Sequence, residues 1–91
     1  MEIYDKNEDM PSEIFKNIQD IIAGAFKYEK GNFERAKYIV ERLGNLYGNE
    51  NYNFCCIVGD KYSYGAFYSY YKKILLRCYF EDKYIVLFSG K

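Results

Sequence analysis

The sequence predicts an α+β domain, two helices packed on an antiparallel sheet in the order β-α-α-β-β-β-β. Three observations carry this. Apolar residues recur twice at helical spacing in the first half of the chain. From Tyr52 to Gly90 the pattern changes to apolar and aromatic runs with few residues left for loops. The 91 residues are 49% hydrophobic and 21% aromatic, which fits one packed domain over residues 1–91 and not a disordered chain.

The elements follow in order. Ile3-Tyr4 reads as a short strand and Asn7-Glu8-Asp9 as a polar turn. Pro11 suits the first turn of a helix, where a missing N–H loses no partner. Ile14, Ile18, Ile21, Ile22, Ala25 and Phe26 then mark one apolar face, predicting a helix over Pro11–Glu29. Gly24 inside it points to close packing against a neighbour. Lys30-Gly31-Asn32 breaks the pattern, and Asn32 is the predicted N-cap of a second helix. Its face is Phe33, Ala36, Ile39, Val40, Leu43 and Tyr47, with Gly44 and Gly48 as stop signals.

Four strands are predicted next: Asn53–Gly59, Gly65–Tyr70, Lys73–Phe80 and Lys83–Phe88. Gly59-Asp60-Lys61 joins the first to the second, and Glu81-Asp82 joins the last two. The segment Tyr62–Tyr71 has weak alternation and no polar face, so something must cover it. So much strand in a short chain leaves edges whose free N–H and C=O groups must be hidden or used.

Composition excludes several classes. Lys plus Arg is 13 and Asp plus Glu is 13, with the two signs interspersed. Neither a nucleic-acid stripe nor a polybasic membrane patch is present in that pattern. The rings of Tyr62–Tyr71 have only Lys61, Lys72 and Lys73 near them, too little for a base-stacking groove. Histidine is absent, which removes His-based general catalysis, Cys-His nucleophile pairs and His metal sites. Glu8-Asp9 and Glu81-Asp82 sit in turns without a partner base. No catalytic residue, metal site or cofactor is expected. Cys55, Cys56 and Cys78 form no CxxC, and reduced thiols in a cytosolic chain are expected. The start of the chain is polar, and no apolar run is long enough to span a bilayer.

The tract Phe54-Cys55-Cys56-Ile57-Val58-Gly59 resembles the W-H-C-I-V-G of the cytoplasmic dynein light chains of the eight-kilodalton class. Gly65-Ala66-Phe67-Tyr68-Ser69-Tyr70 stands where that family has G-S-Y-V-T-H. The ending Tyr84-Ile85-Val86-Leu87-Phe88-Ser89-Gly90 is similar to its A-I-L-L-F-K-S-G. Asp9-Met10 matches a family D-M, and Asn32-Phe33-Glu34-Arg35 is similar to N-I-E-K at its second helix.

The resemblance implies a strand-swapped homodimer. In such a dimer the Gly65–Tyr70 strand crosses into the partner's sheet. An extended partner peptide adds beside it by β-augmentation. The implied groove residues are Gly65, Ala66, Phe67, Tyr68, Ser69, Tyr70, Tyr79, Glu34 and Arg35. Glu34 and Arg35 lie where family targets cap the second helix with a glutamine. The implied dimer interface holds Phe54, Cys55, Phe67 and Ser69. Expected partners are a second copy, the dynein intermediate chain or other proteins with short linear motifs, and neither nucleic acid nor membrane. A cytoplasmic, microtubule-associated, non-catalytic adaptor of the dynein complex is the implied role. The alternative is a dimerisation hub independent of the motor.

Departures limit what transfers. Cys55 replaces the family histidine, so protonation of that residue cannot split the dimer. Ala66 and Tyr70 replace Ser and His in the groove, while Ser69 keeps the hydroxyl of Thr. Ser89 is out of register with the family's modified serine. Cys55 reads either as a redox switch at the two-fold axis or as a buried thiol acting as a small hydrophobe. Cys56 and Cys78 read as core residues.

Overall fold

The two helical periods become α1 (Ser12–Tyr28) and α2 (Asn32–Tyr47) in a computed structural model of the chain, which describes residues 1–8, 10–48, 53–60 and 74–89. The strands are β1 (Glu2–Lys6), β2 (Phe54–Asp60), β3 (Ile74–Phe80) and β4 (Lys83–Ser89). They form one antiparallel sheet in the order β1-β3-β4-β2. The α+β architecture, two helices on an antiparallel sheet, is therefore as expected. The predicted strand Gly65–Tyr70 lies outside the described residues.

Strand alternation sorts the sheet into two faces. Ile74, Leu76 and Cys78 of β3 and Ile85 and Leu87 of β4 join the core beneath the helices. Phe54, Cys56 and Val58 of β2 pack against that core from the edge. Ile14, Ile18, Ile22, Ala25 and Phe26 of α1 and Ile39, Leu43 and Tyr47 of α2 close it from above. Each such aliphatic side chain contributes about 1.5–3 kcal/mol when fully buried. Polar contacts tie the layers together. Asn17 Nδ2 donates to Tyr47 Oη at 2.6 Å, joining α1 to the end of α2. Asn7 clasps β3: its N–H donates to the Leu75 carbonyl at 3.2 Å, and its Oδ1 accepts from Leu75 N–H at 2.9 Å.

The boundaries correct several expectations. Pro11 is the N-cap of α1 and not its first residue, and Glu29 is its C-cap. Gly31, in an extended conformation, is the N-cap of α2, so Asn32 is the first helical residue. The helix runs through Gly44 to Tyr47, because Leu43 and Tyr47 stay in phase and both reach the core. Gly48 follows as a C-cap with φ −58°, right-handed and not the left-handed cap its type suggests. Phe33 is 73% exposed, since the first turn of α2 projects past the core. Gly59 and Asp60 belong to β2 and are not a turn.

Gly24 does pack closely: a Cβ there would meet Tyr38 Oη at 2.8 Å. A Cβ at Gly44 would meet nothing within 4 Å. Gly44→Ala therefore stabilises the domain by up to about 1 kcal/mol through helix propensity alone, measured by urea unfolding. Gly24→Ala gives no such gain. In the two-residue turn between Phe80 and Lys83, Glu81 takes φ 57°. Glycine accepts that conformation without the Cβ penalty, so Glu81→Gly raises stability by up to about 1 kcal/mol in the same assay.

Candidate functional site

The two edges of the sheet differ in chemistry. β1 carries Glu2, Asp5 and Lys6, and its register with β3 shifts between Ile3 and Asp5. Charges and a bulge of this kind blunt an edge against further pairing. β2 is uncharged until Asp60 and pairs with β4 in unbroken register from Phe54↔Ser89 to Asp60↔Lys83. Among the described residues no strand lies on its other side. The open edge is thus flat, apolar and seven residues long.

Helix α2 runs beside that edge. Its first turn has no side-chain cap hydrogen bond. The Arg35 N–H is engaged by the Gly31 carbonyl at 3.0 Å. The Glu34 carboxylate folds back over Gly31, where a Cβ would collide with it. The expected pair Glu34 and Arg35 does sit at the start of α2, but the two side chains diverge. Arg35 turns inward, its Nε donating to the Glu29 carbonyl at 3.0 Å and its guanidinium lying 4.1 Å from the Phe26 ring centroid. Phe26 in turn meets Phe80 with ring centroids 4.8 Å apart. Glu34 lines a shallow cleft of about 220 Å³ with Glu29, Lys37, Tyr38 and Glu41. That lining holds three carboxylates, one ammonium and one phenol and no nucleophile poised on a base.

Tyr79 lies elsewhere. It alternates with Cys78 of the core and so stands on the sheet face turned away from the helices. There its ring meets Tyr84 at 5.3 Å and Tyr4 at 6.2 Å, next to the Arg77–Asp5 ion pair at 3.2 Å. One chain does not bring Tyr79 together with Glu34 and Arg35, so a groove holding all three would be built from two chains. The residues Gly65, Ala66, Phe67, Tyr68, Ser69 and Tyr70 lie outside the described residues. Phe54 packs toward the helices, its ring 6.4 Å from that of Tyr47.

Cys55 points the other way and is exposed in the single chain. Cys56 is half-buried and Cys78 is buried. Burial holds both thiols neutral: desolvation raises Cys56 far above the ordinary thiol range and pushes Cys78 up to about 12. Ser89, which resembles the family's modified serine out of register, has no exposed surface.

Among the described residues no cluster of potential ligands could hold a metal ion, and no helix is long and apolar enough to cross a membrane. Sequence reasoning missed the Lys83–Asp60 pair at 2.7 Å, which clasps the end of β2 to β4. The Asp60↔Lys83 register that creates it depends on where β2 ends, and that end was read as a turn.

The thiols give a test. Cys56 and Cys78 resist Ellman's reagent in the native protein at mildly alkaline pH and react only on unfolding, because little thiolate forms. The unfolded chain ionises Cys78 near the ordinary 9.0, whereas the folded chain holds its proton up to about 12. The stability this contributes is intact below about 9 and is lost as pH climbs through about 12, a slope that Cys78→Ala flattens in denaturation at stepped pH.

A model of the family described as dynein light chain type 1 matches residues 3–90 of the chain. Among curated proteins none matches it. With the family model covering nearly the whole sequence, and the helix pair and strand order as that resemblance implies, the chain belongs to the dynein light chain family, whose members are non-catalytic, dimer-forming adaptors.

Proposed function

We propose that this chain is a homodimeric light chain that joins partner proteins by taking their extended segments into two grooves through strand addition. The observation that carries this reading is the open edge of β2: seven residues in unbroken register, without charge until its last position and without a bulge. A second chain that continues the sheet there satisfies the free backbone groups. The segment after Asp60 contains the Gly65–Tyr70 strand that the resemblance assigns to this exchange. Cys55 and Ile57 on the outer face of β2, with Phe88 and Leu75 beside them, supply apolar surface for the contact.

The peptide then adds as a further strand between the exchanged strand and α2. Main-chain hydrogen bonds provide affinity, and side-chain pockets provide selection. Two grooves per dimer make the second contact of a dimeric partner effectively intramolecular. Within the dynein complex the partner is the intermediate chain, and the setting is the cytoplasm and the microtubule. A motor-independent hub is the second reading, favoured by Ala66 and Tyr70, which alter the groove chemistry. Pull-downs separate the two. Intermediate chain in the eluate supports the motor role, and coiled-coil partners alone support the hub.

Size-exclusion chromatography with light scattering returns a dimer at tens of micromolar, and a monomer at that concentration contradicts the exchange. Isothermal titration with a Thr-Gln-Thr peptide then gives one peptide bound per chain. A dimer that gives no heat at high micromolar concentration keeps the exchange and rejects the standard groove.

A further inference from the structure

We propose that the Lys83–Asp60 ion pair is an electrostatic latch on strand exchange. It holds the end of β2 in its own sheet and so fixes the point at which the chain leaves for a second copy. This rests on the strand-addition reading above and adds to it a control by ionic strength.

The last two residues of β2 are Gly59 and Asp60, opposite Tyr84 and Lys83 of β4. Val58 is the last β2 side chain packed against the core. Gly59 has no side chain to pack, and a glycine weakens a strand. The Asp60 side chain is 65% exposed. Beyond Val58, among the described residues, β2 is therefore held by its backbone ladder and by one side-chain contact. In that contact Lys83 Nζ donates to Asp60 Oδ1 at 2.7 Å, between residues that face each other across the ladder. Opposite charges at facing positions stabilise the pairing of two strands.

The Lys83 end is prepared for this contact. Lys83 is the first residue of β4, directly after the Glu81-Asp82 turn, and its side chain is only 20% exposed. The Asp60 hydrogen bond raises the pKa of Lys83, and the Asp60 and Asp82 charges add to this, while desolvation and the Arg35 guanidinium oppose it. Of the two carboxylates, Asp60 is the one in contact.

The latch acts on the hinge of the exchange. Every residue that frays from β2 must be ordered again when the second copy arrives. The pair orders Gly59 and Asp60 in the single chain, so this ordering is complete before association. Without the pair, β2 of the free chain is held only as far as Val58. A dimer has two such ends, so the effect on dissociation counts twice. Asp60 is mostly exposed, and salt therefore weakens the latch.

Fluorescence-detected sedimentation across a dilution series tests this by reading the dimer dissociation constant of the full chain. At low salt Lys83→Gln raises that constant about three- to twentyfold, since one exposed pair is lost at each of two ends. Asp60→Asn gives a loss of the same size. The ratio of either variant to wild type falls toward one as salt rises, because screening removes from wild type what the variants already lack. In the double reversal, Asp60→Lys with Lys83→Asp, the constant returns to within about twofold of wild type. A pair that only braces the fold lowers the unfolding midpoint of the variants and leaves the dissociation constant alone.

Variants that dimerise as tightly as wild type overturn the inference while leaving strand addition in place. So does a loss that high salt does not narrow, or one that the double reversal does not recover. If Lys83→Gln fails to fold, Asp60→Asn carries the same comparison. A wild-type chain that stays monomeric at tens of micromolar contradicts the exchange itself and takes this inference with it.

Discussion

Backbone hydrogen bonding in a sheet ends only where an edge is covered, blunted or paired, and β2 meets that requirement in none of these ways among the described residues. The opposite edge shows how the same chain manages the problem when no partner is wanted. β1 interrupts its register near Tyr4 and carries charges of both signs, including the Asp5 carboxylate held by Arg77 at 3.2 Å. β2 instead keeps Phe54, Cys55, Cys56, Ile57 and Val58 in continuous register with β4. A flat apolar edge is an aggregation hazard in a monomer and a joining surface in a dimer. Membership of a dimer-forming family fits the second role.

The helix layer serves this edge. The core of α1 and α2 fixes the height of α2 above β2 through Ile39, Leu43 and Tyr47, with Tyr47 held from α1 by Asn17. At the other end Arg35 clamps the corner between the helices to Glu29 and Phe26. The start of α2 is rigidly placed while its first turn keeps no side-chain cap of its own. A helix end prepared in this way can accept an oxygen from outside the chain. Of the thiols, Cys56 and Cys78 are held neutral by burial, whereas Cys55 lies on the outer face of the open strand.

Much of the fold was legible in the sequence because periodicity reports burial directly. Ile14, Ile18, Ile22, Ala25 and Phe26 all fall in the core, as their spacing predicts. The hairpin of β3 and β4 follows from two apolar runs around Glu81-Asp82. The misreadings occur where local chemistry and tertiary packing compete. Asn32 and Gly31 are both good caps, and the choice between them depends on the backbone at Gly31. Gly44 reads as a stop by residue type, yet Tyr47 one turn later has a core site and a hydrogen bond to reach, so the helix continues. Phe33 fits the apolar spacing but lies in a turn that overhangs the core. The site was less legible. The resemblance placed Glu34 and Arg35 at the start of α2. Only the packing shows Arg35 turned toward Phe26 on the other helix and Tyr79 on the far face of the sheet.

Amide hydrogen exchange along β2, read by mass spectrometry or nuclear magnetic resonance across a dilution series, tests the central claim most directly. Alternate N–H groups of β2 point away from β4 toward the open edge. If a second chain continues the sheet there, these amides are as protected as the β4-facing ones at high concentration and lose protection on dilution. Outward amides that exchange freely at concentrations where the protein is dimeric would contradict the account, since the dimer would then be built on another surface.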